Sequence, residues 1–389
     1  MKNKHIGIIT FSNTLDNYGQ VLQYLATQEY LESRGHYAFL YKPLGSSGTT
    51  YSKIKHKLRR ALKKVLRLFW YNRVVKKNLY LSKRQESEPS DAQKQKVFEQ
   101  WAEITQKYEE LHPRHFEQFR QKHFHILSCY YEDVKDVYAF AVGSDQMWSY
   151  LSQDTLLDFP NGWIKRFSIA PSVGHKIFNQ HELEIAAPSL AKFDFITVRE
   201  QNGIDFCKAC GRKDAQLVLD PTFLISPTIY QKYADIQDYH LPQRYVMLYL
   251  LGGEISPTVN EIFKWARNRE LEVVYIASQG REDDFPKCYA TIEQWLSVLQ
   301  NAEYVFTNSY HGMAMSIIYR KQFLTFPLTG IMTGMNSRIF HLAEQFKLQK
   351  RIYSGDLNIV EESVNWQYAD KMIVENRNKL EKLLKKIDL

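Results

Sequence analysis

A histidine, an asparagine and several hydroxyl side chains stand together in Thr307-Asn308-Ser309-Tyr310-His311-Gly312, where an apolar strand, Tyr304 to Thr307, gives way to the helical run Met313 to Tyr319. Such a junction is where open α/β sheets bind ligands, and the first turn of a helix offers N–H groups to a phosphate or carboxylate. His311 supplies a group that titrates near neutral pH, Ser309 can cap the helix or donate to an anion, and Asn308 both donates and accepts. Gly312 lets a ligand approach the backbone closely. Taken alone, these residues also read as a capped helix with one exposed His. Further polar clusters fall at the ends of other predicted strands: Asp16-Asn17-Tyr18-Gly19-Gln20, Gly143-Ser144-Asp145-Gln146-Met147-Trp148, Arg199-Glu200 and Asp220-Pro221-Thr222. Asp, Gln, Tyr and Trp are what a sugar site uses, because carboxylates and amides bond hydroxyls and an aromatic face covers the apolar face of the ring. Each cluster also has a plainer reading: Asp145 begins a turn, Trp148 is core, Asp220 ends a strand, and Arg199 pairs with Glu200 at the surface. Their coincidence at strand ends points to one cleft.

The elements that must position these residues alternate between strand and helix. His5 to Phe11 reads as a strand, Ser12 to Tyr18 as a loop, Gly19 to Arg34 as a helix stopped by Gly35, and Tyr37 to Tyr41 as a second strand. Strands are predicted at Tyr138 to Val142, Arg166 to Ala170, Asp194 to Val198 and Gln216 to Leu219. A second α/β unit carries strands at Tyr245 to Leu251, Val273 to Ala277, Tyr304 to Thr307 and Phe323 to Phe326. A chain of 389 residues at 44% hydrophobic is too large for one ordinary core. The α/β pattern predicts two Rossmann-like domains facing each other across a cleft, residues 1–225 and 226–389. The hinge falls in Asp220 to Arg244, a helical insertion occupies about 51–130, and the last helix, Gln367 to Leu384, crosses back.

Net charge is +8 but local in origin: Ser33 through Gln85 holds 15 Lys and Arg and no Asp or Glu. Within it, Lys53 to Tyr71 spaces Ile54, Leu58, Leu62, Val65, Leu66 and Phe69 as a helical stripe, with Lys57, Arg60, Lys63, Lys64 and Arg67 largely off it. A basic amphipathic helix of this kind either lies on an anionic membrane surface or packs its stripe on its own domain. No nucleic-acid-reading module accompanies the charge. No basic-then-apolar leader opens the chain and no apolar run reaches the length of a bilayer span, which predicts a cytoplasmic protein, peripheral at most at the inner face of the membrane. Cys207-Lys208-Ala209-Cys210 is a lone C-x-x-C without a second pair at zinc spacing and reads as helix core.

The whole set of motifs in this order resembles the polysaccharide pyruvyl transferase family. The match runs from the Phe11 strand with Asp16-Asn17-Tyr18-Gly19-Gln20-Val21-Leu22-Gln23, through Gly143 to Trp148, Val198-Arg199-Glu200 and Leu219 to Thr222, to Thr307 through Gly312 and Ser316 to Tyr319. It covers residues 5 to about 345, and residues 51 to 130 fit it poorly. Tyr310 stands where the family usually has Phe, and Gln20 where it has a small residue. The resemblance implies a GT-B-like pair of domains. It also implies transfer of the pyruvyl group of phosphoenolpyruvate to two hydroxyls of a sugar, in a surface polysaccharide or its lipid-linked precursor, as a cyclic ketal. Phosphoenolpyruvate is then a co-substrate, with no cofactor and no metal.

Given such a donor, Arg199 can grip one anionic group bidentately, while His311 and the helix N–H groups, with Asn308, Ser309, Tyr310 and Gly312, hold the other. His311 is the acid that protonates the enol methylene. Asp145 is the first choice of base for the attacking hydroxyl and Asp16 the second. Asp16, Asn17, Tyr18, Gln20, Asp145, Gln146 and Trp148 make up the acceptor side. Loss of Arg199 or His311 is expected to abolish turnover with the fold intact. Two rival readings share the cleft: a GT-B glycosyltransferase with a nucleotide-sugar donor, and a non-catalytic glycan-binding member.

Overall fold

The structure, a computed structural model, describes residues 3–44, 91–159, 164–174, 178–235, 240–252, 255–278 and 280–389. The basic helix expected at Lys53 to Tyr71 lies outside them, as does much of the expected insertion. The strands of the first half are β1 (His5–Ile9), β2 (Tyr37–Pro43), β3 (Ile126–Cys129), β4 (Ala139–Val142) and β5 (Lys165–Ser168), all parallel in the order β3-β2-β1-β4-β5. A parallel pair, β6 (Thr197–Val198) and β7 (Gln216–Leu217), extends this sheet through a bridge between Phe167 and Phe195. The second half holds β8 (Tyr245–Tyr249), β9 (Glu272–Ile276), β10 (Tyr304–Thr307) and β11 (Gln322–Thr325), parallel in the order β11-β10-β8-β9. The helices are α1 (Tyr18–Glu32), α2 (Asp91–Leu111), α3 (Phe116–His123), α4 (Gln180–Leu190), α5 (Gln201–Ala209), α6 (Pro227–Gln231), α7 (Val259–Arg267), α8 (Ile292–Asn301), α9 (Tyr310–Ile318), α10 (Asn336–Gln345) and α11 (Trp366–Lys385).

In each sheet the chain starts in an inner strand, builds outward on one side and then returns to the other. The order reverses between β1 and β4 in the first sheet and between β8 and β10 in the second, and ligands bind at the carboxyl ends of strands at such reversals. Asp16, Asp145, Arg199, Asp220 and His311 all follow the carboxyl end of a strand. The strand expected at 194–198 is regular only over Thr197–Val198; at its start the Asp194 carboxylate accepts the Arg166 N–H at 2.9 Å and Lys165 Nζ at 2.9 Å.

The two halves share an apolar core. One buried cluster joins Ile6, Leu22 and Leu25 of the first half to Met247, Trp295, Met313 and Phe323 of the second. Tyr18 is its keystone: fully buried, it stacks on Trp295 at 5.4 Å, meets Tyr249 edge-on, and donates its hydroxyl to the Ala290 carbonyl at 2.6 Å. Full burial of an aromatic of this size contributes on the order of 1.5–3 kcal/mol. Apolar packing therefore holds the two halves against each other beside the cleft. α1 and α9 are buried on nearly every face, which is why neither shows a polar stripe.

Two helices tie the halves together. From α11, Arg377 donates to the carbonyls of Phe223 and Ile225 (2.7 and 2.8 Å), and Asn376 accepts the Leu219 N–H. From α2, Tyr108 donates to the Arg281 carbonyl, and the Trp101 indole lies on Gly252 and Gly280. Cys207 and Cys210 are buried in the first-half core, where burial pushes the Cys207 thiol up to about 12. Among the described residues no helix is long and apolar enough to cross a membrane.

Candidate active site

The wholly buried carboxylate of Asp220, beyond β7, gathers the site. Its Oδ1 accepts from the Thr222 N–H at 3.0 Å and from the Thr222 hydroxyl at 2.9 Å. Its Oδ2 receives the Ser144 hydroxyl at 2.6 Å and Arg199 Nη1 at 3.0 Å, and lies 3.7 Å from His311 Nε2. The last separation is too long for a hydrogen bond, and His311 Nε2 is buried and unbonded. Burial opposes ionisation of Asp220, but His311, Arg199 and Ser144 outweigh it and hold the carboxyl well below the usual range. Residues beyond β4, β6 and β7 of the first half thus meet a residue beyond β10 of the second on one carboxylate.

Arg199 is buried with its guanidinium 4.7 Å from the centre of the Tyr310 ring. Burial works against its charge, yet Tyr310, Asp220, Glu200 and Asp145 more than compensate and raise its pKa. Only Nη1 is held by Asp220; Nε and Nη2 are buried and make no hydrogen bond. Two unbonded nitrogens on a buried guanidinium are a binding capacity for an anion, because leaving them unmet is costly. Asp145 stands opposite, Oδ1 at 3.9 Å from Arg199 Nη2, with Oδ2 buried and unbonded. Its backbone is left-handed at φ 73°, a strained conformation for a residue with a side chain. Glu200 does not pair with Arg199 at the surface; its Oε1 accepts from the Ser172 hydroxyl (2.6 Å) and the Val173 N–H (3.1 Å), and its Oε2 is buried and unbonded.

His311 occupies the first turn of α9, where Ser309 caps the helix by accepting the Gly312 N–H. Its ring lies against the first turn of α1, so that a Cβ on Gly19 would sit 2.0 Å from His311 Nδ1. Two helix N-termini, one from each half, therefore converge on the imidazole. Gly19→Ala is expected to push the ring off Asp220 and lower kcat about a hundredfold, since a displacement of about 1 Å at a reacting group has that cost. Steady-state kinetics with a far-ultraviolet spectrum as the folding control would show it; an unimpaired kcat would mean the ring need not sit there.

Several residues expected to touch ligand do other work. Trp148 is fully buried between Phe193 and Phe206 with its N–H on the Thr155 carbonyl, and Tyr18 is interior, so neither offers a face to a sugar. Asn17 caps α1. Asp16 is buried and bonded to the hydroxyls of Thr14 and Thr105, and burial raises its pKa; Asp145, not Asp16, stands beside Arg199. The Asn308 side chain clamps both backbone groups of Leu251. Gly312 makes room for Thr307, whose hydroxyl a Cβ would meet at 2.4 Å. Gln20 and Gln146 are half-buried. Three further residues belong to the site: Asp220 as its hub and Ser144, both within the polar motifs but without an expected role, and Arg338 on α10, which lines the same small cleft as Arg199, Glu200 and Tyr310. Asp220 was signalled by its place at a strand end before Pro221; Arg338 had no local signal.

No curated protein matches the chain. Similar solved structures include Medicago truncatula UGT71G1 complexed with UDP-glucose (12% identity, 100% of this chain and 98% of that one, TM-score 0.46). Others are UDP-GlcNAc 2-epimerase from Neisseria meningitidis bound to UDP-GlcNAc (10%, 98% and 100%, 0.46) and UDP-N-acetylglucosamine 2-epimerase from Rickettsia bellii (11%, 99% and 97%, 0.46). The chain's own two parallel sheets, with helices between their strands, are of Rossmann type. The polysaccharide pyruvyl transferase family model matches residues 17–328, from the cap of α1 through the His311 helix, and the chain belongs to that family.

Proposed function

We propose that this pyruvyl transferase takes its pyruvyl group from phosphoenolpyruvate and joins it to two hydroxyls of a sugar as a cyclic ketal. The observation that carries the reading is the convergence of Arg199 and His311, from separate halves, on the buried carboxylate of Asp220 at the first turn of α9. The donor has two anionic groups, and the free nitrogens of Arg199 and the donors of that first turn suit them. His311 gives a proton to the enol methylene carbon. One sugar hydroxyl then attacks the adjacent carbon and loses its proton to Asp145; phosphate leaves, and the second hydroxyl closes the ring. Of the two hydroxyl protons lost, one replaces the proton given to the methyl group and the other leaves with phosphate.

A nucleotide-sugar donor fits less well. In a sheet of this kind a nucleotide's phosphates sit beyond the first strands, and here Gly252 (φ 69°) and Gly280 (φ 68°) stand beyond β8 and β9. Trp101 occupies the space over both: a Cβ on either glycine would come within 2.6 or 2.3 Å of its ring. A ligand-stabilisation assay separates the readings. Phosphoenolpyruvate at about a hundred times its Kd should add about 2.7 kcal/mol to stability, with UDP-sugars silent and chelators without effect on turnover. Stabilisation by a UDP-sugar alone would favour the glycosyltransferase, and silence with both would favour a glycan-binding member.

A further inference from the structure

Arg338 belongs to none of the motifs, yet α10 delivers it to the site. Asn336, at the start of that helix, bonds both backbone groups of Leu328 (2.7 and 2.8 Å), fixing the first turn just beyond β11. Ile339, Leu342 and Ala343 bury one stripe of α10. Arg338, His341 and Gln345, at i, i+3 and i+7, share the neighbouring face and line the cleft with Arg199, Glu200 and Tyr310. Arg338 is partly buried and makes no hydrogen bond or ion pair with any described residue, although Glu200 and Asp145 are within electrostatic reach. Burial opposes its charge, and the Arg199 charge does so as well. Glu200 Oε2 and Asp145 Oδ2 are likewise unbonded, so the cleft holds two guanidinium groups, one from each half: Arg199, held by Asp220 through Nη1 alone with Nε and Nη2 unbonded, and Arg338. An arrangement of this kind is completed by an anion that both can reach.

We propose that Arg338 is a second anion-binding residue of this site and grips the donor's carboxylate, while Arg199, His311 and the first turn of α9 hold its phosphate. The assignment rests on the phosphoenolpyruvate reading above. It divides the two groups by position: the phosphate departs beside His311 and Asp220, and the carboxylate remains with the product on the Tyr310 and Glu200 side.

The test compares wild type with Arg338→Gln and Arg338→Lys. Arg338→Gln should raise KM for phosphoenolpyruvate at least about tenfold, the loss expected for one charge-assisted hydrogen bond, with kcat changed less than threefold. Pyruvate as a competitive inhibitor should weaken by the same factor, while inorganic phosphate inhibits within twofold of its wild-type strength. Arg338→Lys, which keeps the charge but not the fork, should raise KM by a smaller factor and carries the test if the glutamine variant fails to fold. A KM within twofold of wild type in both variants, or equal weakening of pyruvate and phosphate, would overturn the assignment. If phosphoenolpyruvate fails to stabilise the wild-type protein, the donor reading falls and the assignment with it; a wild type that responds beside unaltered variants removes the assignment alone.

Discussion

Alanine at His311 is expected to lower kcat by about 10²–10⁴, the usual contribution of a positioned general acid, while the protein remains folded. The ring is nearly buried between Gly19 and Asp220, but it is small and sits at the edge of the shared core, so its removal leaves the packing of Tyr18 on Trp295 untouched. Turnover of phosphoenolpyruvate with a soluble acceptor measures the loss, and retention of near wild-type kcat would remove His311 from the chemistry. Arg199→Ala is expected to be equally inactive, but for two reasons. The sequence alone suggested that Arg199 could be removed with the fold intact. Its pairing with a fully buried carboxylate says otherwise, because Asp220 would lose one of the groups that keep it ionised. Arg199→Lys is the better probe: it preserves a charge at Asp220 and loses the fork that binds the donor, so KM for phosphoenolpyruvate should rise with little change in thermal midpoint.

The largest effect on stability is expected from Asp220→Asn. An amide of the same shape leaves the Arg199 guanidinium buried without its counter-charge, a change that costs about 3–5 kcal/mol. The pH dependence gives an independent signature. The carboxyl of Asp220 is held below its ordinary value, so the folded state gains from its ionisation above the unfolded-state value near about 4, and loses that gain as the pH falls below it. Wild-type stability should therefore drop through the acid range, and the asparagine variant, already weaker at neutral pH, should drop less steeply. Denaturant midpoints from pH 7 down to pH 3 provide the comparison. Parallel acid limbs in the two proteins would show that Asp220 is not the group whose ionisation the fold depends on.

What the sequence by itself determined is local in physical origin. The strand from Tyr304 to Thr307 coincides with β10, and the cap at Ser309 is present, because a short apolar run and an N-cap are decided by neighbours within a few residues. The placement of Arg199, Asp145 and His311 at strand ends was legible for the same reason: in a parallel α/β sheet every such end lies on one side of the sheet. Tertiary structure decided the rest, through contacts between distant residues. Asp220 became the hub only when Ser144 and Arg199, 76 and 21 residues away, folded onto it. Trp148 and Tyr18 read as sugar platforms because an aromatic's burial cannot be seen in its own neighbours, and both proved interior. Asn308 read as a ligand contact until β8 brought the Leu251 backbone within its reach, 57 residues away in the chain. Arg338 sits on an ordinary amphipathic helix, and only the docking of α10 beside Tyr310 turns its charge toward the site.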